Sequence, residues 1–600
     1  MALTRATATS ARRLFIPLTL FFILAMPGAI YSCGPFFDEA VFTPAESPQV
    51  SHKNFAAGKL GIILPTLRPS YLVVAYRYLS GLTLTAQQQH DAIDVWSRNM
   101  GPNPQSPDTA AIEAWQKARA QAPGFTAAQK FDAYAPVARD QPYQQFMNCP
   151  DASFQSATAT LADRIHKYGA DSAAVRDWTY AQDQVFSNCG GGARVIPAAL
   201  TSSDSLLRAD RNYQIAAAQF YARDFTTAAA SFDALAKDPA SPWAAMGSYL
   251  AARALIRQAT LATADYGKFD VPMLRAAQQK LEQVLNDPHS APMHAAAQRL
   301  LDYVRFRTEP EKRVAELERL LLQPDPGPDF KQHLWDYVLL TSHGEQAEDL
   351  SDWLHTFHSD SPEEILMAPP DPPEEIVPPH PADPAAVARA LAKWRTHHAL
   401  PWLLAALQQT PATDSSAAEL LNAAAKVSTT SPGYLTVRYY ALRMTIRTTG
   451  PQQDAARAEL DALLSRASPD LAPGTRNLLN DERQRLATSL PDFLAHAAEI
   501  PAAVGVPELS NEDDDDDQAN DNGFPIENHP KSCNQPLLNG YAAQVFAQQM
   551  PLAKLVESAR STTLPNPLRR EIVRSTWMRA ILVGDTSTAD QLQPLLAELD

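Results

Sequence analysis

The chain has 600 residues, enough for about four domains by length, and an apolar share of 45% is enough to fill sizeable cores. Acidic residues outnumber basic ones, 67 to 51, and no basic cluster with interleaved aromatics stands out, which argues against nucleic acid as a partner. Glycine is scarce at 22 and proline plentiful at 49, so this alanine- and leucine-rich chain is expected to be all-α, with prolines gathered at helix ends and in two linkers.

Residues 1–32 read as a secretory signal peptide: Arg5, Arg12 and Arg13 precede an apolar run from Leu14 to Met26. No later run is long and apolar enough to span a bilayer, so contact with a membrane is expected only through a lipid anchor. Without these residues the chain keeps 48 basic against 67 acidic side chains, a formal charge of −19. Ile30, Tyr31, Ser32, Cys33 and Gly34 resemble a bacterial lipoprotein box, although Tyr31 is larger than usual there. That resemblance implies a lipid on Cys33 and, through Gly34, sorting to the outer membrane; simple cleavage before Cys33 is the other reading. Residues 12–16 also look like the core of a twin-arginine signal, from which Ala11 and Pro17 depart.

Residues 33–200 read as an N-terminal helical domain, with helices expected over 87–100, 110–121, 127–134, 156–168 and 172–187. Two of its segments end alike, in Phe146, Met147, Asn148, Cys149 and in Phe186, Ser187, Asn188, Cys189. In an exported protein Cys149 and Cys189 most economically form a disulfide, and closing a loop of about 40 residues contributes roughly 3 to 4 kcal/mol. A reactive thiol at Cys189, beside Gly190 to Gly192, is the sharper reading, with no histidine near it in sequence. Cys533 remains: it bridges to Cys33 if Cys33 carries no lipid, and is otherwise free or paired between chains.

The segment 201–345 carries the main pattern. Ile215, Ala216, Phe220 and Tyr221 share one helical face, Arg223 and Asp224 make a turn, and Phe225, Ala228, Phe232 and Leu235 continue on a second helix. Ala216, Ala228 and Phe232 resemble the small, small and aromatic positions of a tetratricopeptide repeat, while Gln219 departs from the expected aromatic. Pro239, Pro288 and Pro324 each follow a leucine and polar residues, at intervals of 49 and 36 residues, and only the second approaches that family's period. A third unit is expected from Met293 to Leu321 with its turn over 307–312. The resemblance implies tetratricopeptide-like hairpins stacked as an α-solenoid in two or more segments; an ordinary amphipathic bundle is the alternative.

A proline-rich acidic linker is expected over 346–384, then a second helical repeat region over 385–505 whose best unit pairs Tyr434, Val437, Tyr440 and Leu442 with Ala455, Leu460, Leu463 and Leu464. Residues 506–532 read as an acidic, solvated linker. Within it Asn520, Asn522 and Gly523 imitate a calcium loop that Gln518 and His529 fail to complete. Residues 533–600 read as closing helices that include Trp577, Ile581 and Leu582.

Motifs of enzymes are absent: no serine elbow, phosphate loop, paired-histidine zinc helix or dinucleotide fingerprint occurs. His355 and His358 are three apart without a paired third ligand, His397 and His398 point apart, and no carboxylate stands out in an apolar stretch as a mark of raised pKa. No catalytic, cofactor or metal residue is therefore assigned. The expectation is an exported scaffold for other envelope proteins or peptides, in the periplasm or on a face of the outer membrane, with no oligomeric state set. The alternatives are a glycan- or nutrient-binding lipoprotein and an accessory of peptidoglycan processing. An open row of tryptophan and tyrosine would favour these, whereas Trp243, Tyr249 and Trp335 are expected in cores.

Overall fold

The structure, a computed structural model, describes residues 48–100, 109–138, 141–192, 194–261, 268–341, 348–357, 383–447, 451–465, 471–499 and 536–599. The expected signal peptide, Cys33, His358, Cys533, the incomplete calcium loop, the whole linker 506–532 and residues 358–382 of the first linker lie outside them, while residues 349–357 of that first linker form a helix. In chain order the elements begin with α1 (His52–Ala56), α2 (Pro69–Leu79), α3 (Ala86–Trp96) and α4 (Thr109–Arg119). A hairpin of β1 (Tyr134–Ala138) and β2 (Gln141–Met147) follows, then α5 (Asp151–Tyr168), α6 (Ala173–Phe186), α7 (Ser205–Tyr221), α8 (Phe225–Ala236) and α9 (Ala244–Leu261). Next come α10 (Val271–Asn286), α11 (His294–Thr308), α12 (Pro310–Leu321), α13 (Phe330–Thr341) and α14 (Asp349–Phe357). The chain continues through α15 (Pro384–His397), α16 (Leu400–Gln409), α17 (Ala417–Ala424), α18 (Tyr434–Ile446), α19 (Pro451–Leu464), α20 (Pro473–Arg485) and α21 (Leu490–Ala495). It closes with β3 (Ala498–Glu499) paired to β4 (Leu537–Leu538), then α22 (Gly540–Gln544), α23 (Leu552–Arg560), α24 (Asn566–Leu582) and α25 (Thr586–Leu599).

The chain divides into two compact units, one of residues 84–355 and one that joins residues up to 83 with those from 356 onward. In the first, each helix from α7 to α13 packs on its neighbours in sequence. Ala216, Phe220, Phe225, Ala228, Phe232 and Leu235 meet in one core with Ala251 and Ala254 of α9. Small residues let the backbones touch: a Cβ on Gly247 of α9 would lie 2.7 Å from both the Phe232 carbonyl oxygen and the Ala236 nitrogen of α8. Aspartates start several helices, as where Asp204 accepts from the Leu206 and Leu207 amides and Asp270 from Met273.

A second core of this unit stacks Phe154 on Phe186 with centroids 4.4 Å apart, and Trp115 meets Phe186 edge-on at 5.4 Å. A disulfide joins Cys149 and Cys189, Cα atoms 5.5 Å apart. The asparagine before each cysteine is fully buried and acts as a peg. Asn148 donates to the carbonyls of Asn188, Cys189 and Tyr221, and Asn188 donates to Gln184, Val185 and Val195 while accepting from the Val195 amide.

Two expectations are corrected here. Residues 127–134 form no helix but lead into the hairpin, in which Tyr134 pairs with Met147. Two of its carbonyls are taken up from afar, as Arg223 donates to the Pro136 and Val137 oxygens at 3.0 and 2.7 Å. The turn expected over 307–312 shrinks to Glu309, because Pro310 occupies the first position of α12, where no amide hydrogen is required.

In the other unit, residues 61–63 are gripped by α18. The Ile63 amide donates to the Thr436 hydroxyl at 3.0 Å, that hydroxyl donates to the Gly61 carbonyl, and Tyr440 donates to the Ile63 carbonyl. Gly61 adopts φ +63°, and a side chain there would strike Val50 and Thr475. The last helices close over their own core, with Leu538, Phe546, Leu555, Ile572, Val573 and Leu592 buried together.

Candidate functional site

Faces of alternate helices build a concavity in the 84–355 unit. On α11, Ala297, Leu301 and Val304 turn into the core, and an adjoining face presents Ala296, Arg299, Leu300, Tyr303, Phe306 and Arg307, of which Leu300 and Tyr303 still touch that core. On α13, Leu334, Tyr337 and Leu340 are buried, while Gln332, Trp335 and Leu339 face the same space, with Asp329 just before the helix. Tyr249 of α9 completes a cleft of about 640 Å³, within the size range of ligand sites. No residue of α10 or α12 lines it.

Four half-buried rings, Tyr249, Tyr303, Phe306 and Trp335, give the cleft its apolar surface. Trp335, expected in a core, is open to the cleft because it sits opposite the buried stripe of α13, whereas Tyr249 packs against the core of α9, α10 and α11 and reaches the cleft only in part. Trp243 lies elsewhere, stacked on Tyr213 at 4.4 Å with its indole N–H donating to Asp210. Arg307 rests on the Tyr303 ring, 3.7 Å from its centroid.

The floor is polar. Arg313 of α12 is buried and meets Asp302 at 3.3 Å and Glu316 at 2.9 Å, with Asp336 at 4.0 Å. Burial pushes the Asp336 carboxyl up despite a 2.7 Å hydrogen bond from Gln332. Burial, and then the Arg313 charge, hold His333 below its usual range, so the ring is neutral near pH 7. Its Nδ1 is buried without a hydrogen-bond partner.

Beyond Tyr249 a ladder of cations and rings continues along α9. Arg253 lies over Tyr249 and Phe220 at 5.9 and 5.7 Å, and Arg257 over Phe220 and Phe146 at 4.5 and 5.4 Å. Arg223 covers Phe146 as well, at 5.5 Å. Arg257 donates to Asn148 Oδ1 at 2.8 Å and to the Met147 and Asn148 carbonyls. Burial, then the neighbouring Arg253, lowers its pKa to about 10, which leaves it cationic at neutral pH.

The other sequence candidates are scattered. Cys149 and Cys189 are consumed by their bridge, and His355 is exposed. His398 is exposed in a left-handed conformation that caps α15, its amide donating to the Trp394 carbonyl. One group with metal-ligand spacing occurs among the described residues, His90, Asp91 and Asp94 of α3, and sequence reading passed over it. Lys331 already sits 2.8 Å from Asp94, and Gln87 donates to Asp91. A pair of buried carboxylates was also missed: Glu499 is pushed up to about 8 and Asp481 to about 7, chiefly by burial. Glu499 is the lone charged residue of an apolar stretch from Ala497 to Val506, a signal the sequence did carry, whereas Asp481 lies among polar residues and only the fold reveals its surroundings.

Fold and cleft together define a predominantly helical protein. Comparison with protein-family models, with curated proteins and with solved structures gives no match to the chain.

Proposed function

We propose that this chain is an exported helical-repeat protein of the cell envelope, a scaffold that takes a segment of a partner protein into the cleft between α9, α11 and α13. One observation carries the reading: the lining comes from every second helix, the arrangement that antiparallel hairpins stacked in series present on their inner face. Half-buried aromatic rings in such a groove supply contact area at low cost in side-chain entropy, the usual source of binding energy at interfaces. No catalytic step is assigned to it.

A photo-crosslinking residue in place of Tyr303, in cells that make the chain, should capture a discrete protein partner, and Trp335→Ala should abolish the capture while leaving the melting temperature within a degree or two. A second reading, capture of glycans, is favoured by the half-buried rings of Tyr249 and Trp335 in the cleft lining, since flat rings also stack on sugars. Calorimetric titration with peptidoglycan fragments and defined oligosaccharides separates the two. Saturable sugar binding lost in Trp335→Ala, with no protein captured, would replace the scaffold by the glycan reading.

A further inference from the structure

The charges around the cleft are not mixed at random. Helix α9 contains no acidic residue, and its two arginines, Arg253 and Arg257, make no ion pair with a carboxylate among the described residues. Arg253 stands one turn from Tyr249, over the ring that closes that end of the cleft. At the far end the balance reverses. The one basic side chain of α13 near neutral pH, Lys331, is bound to Asp94, whereas Asp329 and Asp336 line the cleft, and Asp329 enters no ion pair among the described residues. Between them α11 is mixed: Arg299 and Arg307 face the cleft beside Asp302, whose charge is met by Arg313.

We propose that the cleft selects an extended peptide with separated charges, its acidic end lying toward Arg253 on α9 and its basic end toward Asp329 on α13, with apolar or aromatic side chains between them over Tyr303, Phe306 and Trp335. This rests on the peptide-binding reading given above. Crossing three helices spaced by roughly 10 Å takes about 20 Å, or about six residues of extended chain. Like charge facing like at either end repels the wrong pattern, so the polarity provides discrimination as well as attraction.

The probe is a fluorescein-labelled peptide with glutamates at one end, lysines at the other and leucine and tyrosine between, followed by anisotropy at low salt. It should bind more tightly than an isomer of the same composition with alternating charges, and the preference should fade as salt rises. Arg253→Gln should weaken a peptide that keeps only the glutamates by about fivefold and leave the lysine-only peptide unchanged; Asp329→Asn should do the reverse by a similar factor. Equal binding of both isomers, or loss at the wrong end, overturns the polarity. If those peptides still depend on Trp335, the scaffold reading survives that result. If no peptide binds and none is affected by Trp335→Ala, both fall.

Discussion

Glu499 has one hydrogen bond where a carboxylate wants several. Asn480 donates to its Oε1 at 3.1 Å, Oε2 is buried without a partner, and burial followed by the charge of Asp481 raises its pKa to about 8. The folded state therefore keeps a proton that the unfolded state gives up near pH 4. Stability from this group is fully present below about pH 4 and is lost as pH rises through about 8. Glu499→Gln keeps an acceptor for Asn480 and removes the titration. It should stabilise the protein at pH 8 by on the order of 1 to 3 kcal/mol and flatten the decline between pH 5 and 8. Urea unfolding across that range checks this, and an unchanged slope would contradict it. The site was half legible in sequence: Glu499 is the one charged residue between Ala497 and Val506, but its neighbour Asp481 is distant in a polar segment and gives no such signal. The cysteine ends were legible at the same scale: two copies of an aromatic, a spacer, asparagine and cysteine announced a matched pair, though not that both asparagines would be buried pegs. Cys149→Ala with Cys189→Ala should cost up to about 4 kcal/mol in the chain-entropy estimate, measured as a lower urea midpoint, and reductant should have the same effect on the parent protein.

Helices were the most readable elements, since the apolar residues of α7, α8, α11 and α12 recur at the helical period and end in real stops. Strands were not. Residues 127–134 hold good helix formers, and what draws the chain into a hairpin is distant in sequence: the guanidinium of Arg223 and the bridge at Cys149. The cleft was half legible, because periodicity shows which face of a helix is apolar, not that rings at the edge of that face will gather with those of other helices. The close contact of α8 and α9 makes an element-scale prediction. Gly247→Ala puts a methyl group against two backbone atoms and should cost about 1 to 3 kcal/mol by overpacking, whereas Gly192→Ala, with nothing within 4 Å, should change little. Thermal melts of the two variants decide it; equal melting temperatures would mean that the helices separate at no cost.

At the scale of the molecule, each compact unit has a core of its own. Scanning calorimetry should accordingly resolve two transitions, with the cysteine substitutions lowering one and Glu499→Gln raising the other at pH 8. A single transition shifted by both changes would show that the units unfold together. Composition foretold the helical class, but not that residues 48–83 belong with the second half of the chain, since contacts at separations of 373 and 377 residues leave no periodic trace.

That grip of α18 on residues 61–63 has a consequence for how the polypeptide is born. A ribosome makes residue 63 long before Thr436 exists, so the early piece must wait, with Tyr71 to Ala75 uncovered, while the whole intervening unit is made and can already fold. Its final closure joins a very long loop, a slow step by nature. A nascent chain halted before Tyr434 should thus keep its first segment open to protease and to holding chaperones, and become resistant only once α18 has emerged.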